Sequence, residues 1–352
     1  MKIIITSLLI SFAYLSFNQE SILDISNMSF PNSSISTLPL NSFFPEPELH
    51  GLIPIKEDDD IFFWLFPSRS DPDKDPLVIW LTGGPGCSSE LAIFFENGPM
   101  EPKDGEALKK DISWNNKANL LYIDQPIGTG FSDADPEDIP GFEKDIADQF
   151  EIFIVKFYEK FPAFKNRDLY ITGESYAGHY VPYVSERVMS SSACQAAGIN
   201  LIGLAIGNGW VNPSIQLMNY APYAYEHKIL SLQSEVMYQL GFKLCATLLN
   251  LKIYSLAGYV CGKVEPSVLG DPSNPDYNCY DVRLKCEVPP LCYDFSAMTQ
   301  YLNRDDVQQA LNLKKQTWET CSEEVNIAMA RDYGSDVTPK VQALLKLSLI
   351  HI

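Results

Sequence analysis

The sequence is short of positive charge and of histidine. Its 26 lysines and arginines face 45 aspartates and glutamates, for a formal net charge of −19. A nucleic-acid binder needs a basic face toward phosphate, so that class is excluded. The four histidines are scattered, and the eight cysteines contain no C-x-x-C pair. No zinc site, other metal or cofactor is therefore expected. Beyond Leu15 no apolar stretch is long enough to cross a bilayer, and there is no internal repeat or low-complexity tract. What is there is a chain of 352 residues, 46% apolar and 20% charged, which points to a globular protein with one large core and room for an inserted subdomain.

Lys2 followed by the apolar run Ile3 to Leu15 has the layout of a secretory signal peptide, assigned to residues 1–17. Residues 18–45 are polar, rich in Ser, Asn and Pro, and read as a leader or linker. Behind a signal peptide, Asn27-Met28-Ser29 and Asn32-Ser33-Ser34 become glycosylation sites at Asn27 and Asn32. In the same setting the cysteines favour disulfides. The expected location is the secretory pathway, either outside the cell or in a lysosome or vacuole.

Short apolar runs begin at Ile61–Phe66 and recur at Leu77–Leu81, Asn119–Ile123, Leu169–Ile171 and Leu201–Ile206. Such runs, ending in Gly, Asp or Thr, are the mark of strands buried on both faces. Helical stretches lie between them, notably Glu143 to Phe161 and Tyr176 to Met189. The alternation predicts a mostly parallel sheet with helices on both faces over residues 46–209. After Asn208-Gly209 the rhythm stops, and residues 210–295 carry five of the eight cysteines. That segment is expected to be an inserted, disulfide-stapled cap. A helical pattern returns near Met298 to Leu313, and residues 296–352 are assigned to the core again.

The strongest local signal is Gly173-Glu174-Ser175-Tyr176-Ala177-Gly178, with a buried strand before it and a helix after it. This is the setting of a nucleophile elbow: small neighbours let strand and helix approach, and the serine hydroxyl projects above the sheet. The Tyr176 amide then faces a developing oxyanion. A second signal is Trp80-Leu81-Thr82-Gly83-Gly84-Pro85-Gly86-Cys87-Ser88-Ser89. Its glycines follow a strand where a second oxyanion donor is found in such folds, and no Gly-Lys-Ser/Thr follows to make a phosphate loop.

These two blocks, with Asn119 to Ser132 between them, resemble the serine carboxypeptidase family. Weaker similarity runs through Asn278–Arg283, Cys286 to Cys292 and Tyr301–Asn312, so the resemblance spans about residues 45 to 347. It implies an α/β-hydrolase fold and a serine-type exopeptidase acting on peptides or proteins with a free C-terminus. Ser175 takes the role of acylating nucleophile, with Gly84 and Tyr176 as oxyanion donors. Trp80, Glu174 and Glu96 hold the substrate carboxylate, together with Thr82, which stands where the family has asparagine. A carboxylate beside two glutamates requires shared protons, so binding is expected to improve at acid pH. The resemblance also pairs Cys87 with Cys321 and Cys286 with Cys292. Cys194, Cys245, Cys261 and Cys279 remain, with three pairings open.

The triad is not complete in this sequence. The fold orders it Ser, Asp, His, and the family's later Asp and His segments are not found after Ser175. The expectation is a C-terminally truncated member, final strands missing, stopping within a strand near Ser348 to Ile352. His179 lies one turn along the nucleophile helix and is expected to pack or hydrogen-bond there. His227 is expected to be exposed and His351 terminal, while Asp332 and Asp336 read as loop charges. Two other readings stay open. One is an inactive relative that binds peptide or protein partners; the other is an acyltransferase using the same acyl-enzyme.

Overall fold

The computed structural model describes residues 38, 40, 41, 43–269, 277–289, 291–347 and 350–351. The expected signal peptide and the sequons at Asn27 and Asn32 lie outside the described residues.

Two strands, β1 (Leu49–Lys56) and β2 (Asp59–Phe66), form an antiparallel hairpin. β3 (Leu77–Leu81) leads into the glycine-rich loop and the short helix α1 (Glu90–Phe95). A separate hairpin of β4 (Met100–Lys103) and β5 (Glu106–Lys109) follows, then β6 (Asn119–Ile123), α2 (Glu143–Lys160), β7 (Asp168–Glu174) and α3 (Ala177–Ser190). Next come α4 (Ser192–Ala196) and β8 (Asn200–Gly207). The remainder is helical: α5 (Pro213–Gln216), α6 (Tyr220–Glu226), α7 (Leu232–Asn250), α8 (Tyr254–Leu269), α9 (Ser296–Leu302), α10 (Asp305–Ala310), α11 (Glu323–Met329) and α12 (Thr338–Lys346). A two-residue strand, β9 (Ile350–His351), closes the order.

The main sheet runs β1-β2-β6-β3-β7-β8-β9. β1 and β2 enter antiparallel, and from β6 through β9 every pairing is parallel. Alternation along the strands explains why the central runs are apolar without a break. Odd-numbered residues such as Phe63, Ile79 and Leu121 join one core with Phe153 and Phe157 of α2 and Val181 of α3. Even-numbered residues such as Trp64, Trp80 and Tyr122 join a second core with Phe94 of α1, Tyr301 of α9 and Val307 of α10. A strand with helices on both faces has no polar side to present.

Several details differ from the sequence reading. β1 precedes the first expected strand; Pro54 near its end and its place at the sheet edge disguise it. The β4–β5 hairpin was also unforeseen, although its turn holds Asp104-Gly105 with both φ angles positive, the strongest short hairpin signal. The helical pattern at 298–313 is two short helices, α9 and α10, interrupted at Asn303-Arg304. Leu38 and Phe44, in the segment read as leader, are buried in the two cores. The segment expected to be an inserted cap packs into the main core: Phe242, Cys245 and Leu248 of α7 belong to the same cluster as α2 and α3.

Cys87 is bonded to Cys321, Cys286 to Cys292 and Cys245 to Cys261, the last tying α7 to α8. Cys194 and Cys279 are free thiols, so the four cysteines left open by the sequence yield one bridge rather than two. Cys194 is buried on α4 and Cys279 is half-buried, and neither is bonded to another cysteine.

Candidate active site

Ser175 stands where β7 turns into α3, with φ of 60°. A non-glycine residue adopts that conformation at a cost and needs surrounding structure to hold it. Three backbone hydrogen bonds do so. Ser175 N–H donates to Gly207 O at the end of β8 (3.0 Å), and Ser175 O accepts from Gly178 N (2.9 Å) and Trp210 N (2.8 Å). The elbow is thus bolted to the neighbouring strand and to the chain at Trp210.

The glycine-rich loop after β3 lies directly against this turn. A Cβ on Gly83 would stand 2.4 Å from Tyr176 N and 2.9 Å from Ser175 Cβ, so only glycine permits the approach. Gly84 has φ of +113° and lines the same cavity as Ser175. Tyr176 is buried, its ring stacked between His179 (4.7 Å) and Tyr333 (5.7 Å), which leaves its backbone on the loop side. Cys321 sits beside Cys87, and hydrogen bonds from Ser88 N to Thr320 O (2.9 Å) and from Ser322 N to Gly86 O (2.8 Å) flank the bridge.

Beneath the loop lies a buried acidic cluster that the sequence reading missed. Asp124, at the end of β6, accepts from Ser89 N (2.9 Å) and Phe131 N (2.8 Å). Glu90 is bonded by Ser88 Oγ and by Trp318 Nε1, the latter at 3.3 Å. Burial, reinforced by Asp124, holds the Glu90 carboxyl well above the usual range, and burial raises Asp124 as well. The pair therefore keeps a proton and acts as a hydrogen-bonded frame for the loop. Its only sequence signal was a charged residue directly after a buried strand.

Ser175 opens into a cavity of about 820 Å³. Thr82, Gly83, Gly84, Glu96 and Glu174 line it, and the aromatic rings of Phe95, Phe295, Tyr293 and Tyr280 form a run of contacts along the lining. Glu323 and Asn326 of α11 stand elsewhere on the lining. These wall residues come from segments 91 to 326 and were not foreseen. Burial pushes the Glu174 carboxyl up to about 7, with a further rise from Glu96. Glu96 is also pushed up to about 7 by burial, partly offset by Lys110. Glu96 is nonetheless exposed to water, so solvent screens its share of the effect. Two neutral or half-ionised carboxyls near pH 7 can donate as well as accept hydrogen bonds.

Trp80 is not among the cavity-lining residues; it stands behind Thr82 and donates its indole N–H to Thr82 Oγ1 at 3.2 Å. No histidine or aspartate lines the cavity among the described residues. His179 is buried on α3, with Nδ1 2.6 Å from Trp210 O and Nε2 3.1 Å from Ser335 O, and burial lowers its pKa. It braces the elbow against the 333–336 segment. His227 is exposed, its ring tilted against that of Tyr223, and His50 of β1 pairs with Glu48. Asp332 accepts from Glu143 N and Asp336 from Thr338 N, both within their own surroundings. The side chain of His351 lies outside the described residues.

Residues 40–352 match the family model described as serine carboxypeptidase. The chain belongs to the serine carboxypeptidase family. Among relatives of this carboxypeptidase-family chain, serine carboxypeptidase-like 47 of Arabidopsis thaliana is 38% identical over 304 residues, covering 83% of this chain and 59% of that protein. Serine carboxypeptidase S10 family member 1 of Dictyostelium discoideum is 36% identical over 320 residues, covering 89% and 76%. Among solved structures, Kex1(delta)p, a prohormone-processing carboxypeptidase from Saccharomyces cerevisiae, aligns with a TM-score of 0.76 at 25% identity, over 90% of this chain and 74% of that one. The chain thus spans about three fifths of the length of the Arabidopsis relative. The fold is that of an α/β-hydrolase, its sheet mostly parallel. No helix among the described residues is long and apolar enough to cross a membrane.

Proposed function

We propose that this protein is a serine-type carboxypeptidase of the secretory pathway that removes C-terminal residues from peptides through an acyl-enzyme on Ser175. The observation that carries the reading is the strained Ser175 turn opening into a cavity whose two glutamates are held near neutrality. In this reading the amides of Gly84 and Tyr176 stabilise the tetrahedral oxyanion. Thr82, Glu96 and Glu174 receive the substrate carboxylate. A protonated glutamate donates to that carboxylate, whereas an ionised one repels it, so affinity falls as pH rises toward and past about 7.

Serine attack also needs a general base. Since no described cavity residue is a histidine, peptidase activity requires a histidine, and an acid to orient it, from a part of the protein other than the described lining. Sequencing the transcript through and beyond codon 352 supplies the first check. The second is labelling with a fluorophosphonate, which reacts with serine only when a base activates it. Labelling lost in Ser175→Ala supports the peptidase. The same absence of a cavity histidine favours one second reading, a relative that binds peptide C-termini without turnover. It is supported if a blocked dipeptide binds with pH-dependent affinity while the fluorophosphonate leaves Ser175 unmodified.

A further inference from the structure

Glu143 is the first residue of α2 and is completely buried, yet it lines no part of the Ser175 cavity. Its backbone N–H donates to Asp332 Oδ2 at 2.9 Å, which fixes the start of the helix. Its carboxyl has the Tyr176 hydroxyl as a neighbour, and the two are near enough to shift one another. The contact is loose: Glu143 Oε1, Glu143 Oε2 and Tyr176 Oη are all buried without a partner at full hydrogen-bonding geometry. Tyr180 belongs to the same group. Its ring meets that of Tyr176 edge-on at 5.1 Å, its hydroxyl accepts from Gly86 N at 3.2 Å, and the Glu143 charge bears on it. While accepting from Gly86, this hydroxyl keeps its own hydrogen to give. Asp332 and Tyr183 are the other titratable groups facing Glu143, and among the described residues no cation shifts it. A buried carboxyl in such company is tolerated only as a hydrogen-bonded neutral group.

Two tyrosines thus lead from this carboxyl to the two pieces of backbone that meet at Ser175. Tyr176 carries one of the amides assigned to the oxyanion. Tyr180 holds the glycine-rich loop at Gly86, two residues past Gly84, which carries the other. We propose that Glu143 is a positioning residue, its carboxyl joining the Tyr176 and Tyr180 hydroxyls and so keeping both backbone segments aligned beside Ser175. That the aligned amides serve an oxyanion rests on the carboxypeptidase reading; the alignment itself does not. A carboxyl suits the task because its O–H can donate to one tyrosine oxygen while its carbonyl accepts from the other hydroxyl. An apolar side chain of similar size fills the space but leaves both hydroxyls buried without that partner.

The test is amide hydrogen exchange followed by mass spectrometry, which does not depend on turnover. Peptic peptides covering residues 82–91 and 173–183 report the two segments, and one covering β6 reports the core as a whole. The variants are Glu143→Leu, Glu143→Gln, Tyr176→Phe, and Glu143→Leu with Tyr176→Phe. Glu143→Leu should speed exchange about tenfold in both segments, the size of one buried hydrogen bond lost, and leave β6 unchanged. Glu143→Gln, which still donates and accepts, should stay within about twofold of wild type. Tyr176→Phe should speed exchange in the wild-type background and add little to Glu143→Leu. Wild-type exchange in Glu143→Leu, equal acceleration of β6, or equal acceleration by Glu143→Gln overturns the positioning role. If exchange follows the expected pattern but an N-blocked dipeptide acid fails to bind the Ser175→Ala protein, the positioning role stands and the carboxypeptidase reading falls.

Discussion

Replacing Glu174 by glutamine should change the way folding stability depends on pH. The Glu174 carboxyl is held at about 7 in the folded protein, against 4.5 in an open chain. Below pH 4.5 both states keep the proton and the group has no influence. Between pH 4.5 and 7 the unfolded chain releases its proton while the folded protein retains it, so each step upward favours unfolding. Above pH 7 the whole loss has been incurred. At 1.36 kcal/mol per pH unit this amounts to about 3 kcal/mol, reduced to about 2 kcal/mol by the water that reaches a half-buried group. Glu174→Gln keeps the shape and has no proton to release. Urea denaturation followed by tryptophan fluorescence at pH 4.5, 5.5, 6.5 and 7.5 measures the effect. Glu90, Glu96, Glu143 and Glu265 are also raised by burial and add slope to both proteins. The difference between the two curves therefore reports Glu174 together with its coupling to Glu96. The variant should gain about 2 kcal/mol over wild type between the lowest and highest pH. Two curves that stay parallel would refute the claim that this carboxyl is kept neutral by its surroundings.

Gly83→Ala should damage the elbow more than the fold. Its Cβ would meet Tyr176 N, Glu174 O and Ser175 Cβ within 2.9 Å, none of which is a flexible side-chain end. We expect a loss of about 1–3 kcal/mol, read by thermal melting, with any fluorophosphonate labelling of Ser175 abolished; unchanged melting and labelling would contradict the packing described. The double variant Cys87→Ser with Cys321→Ser removes a bridge between residues 234 apart in sequence. It should lower stability by about 2–5 kcal/mol in urea, and reduction of the wild type, which also opens Cys245–Cys261 and Cys286–Cys292, should cost more.

Local sequence was enough to place Ser175 at a strand-to-helix turn. A three-residue apolar run, small residues on either side of the serine and a helical pattern after it all lie within about twenty residues, and each constrains the same backbone. The strand sequence from Ile61 to Ile206 was legible for a similar reason, because burial on both faces leaves no polar position. β1 and the β4–β5 hairpin were harder to read, since edge strands are marked by weaker patterning and, in β1, by Pro54.

The chemistry of the cavity was decided elsewhere. Its aromatic wall brings Phe95 against Phe295 across some two hundred residues of chain, a meeting that no periodicity announces. The protonated Glu90–Asp124 pair exists because two separate segments are buried together under the loop. Trp80 and Thr82 were expected at the site from the family resemblance, whereas the hydrogen bond between their side chains depends on which way an indole turns inside a packed core. Sequence determines such features only through the contacts of the finished fold. Backbone conformation and burial pattern are local enough to be written in neighbouring residues, whereas the charge state of a carboxyl and the direction of a donor depend on everything packed around them.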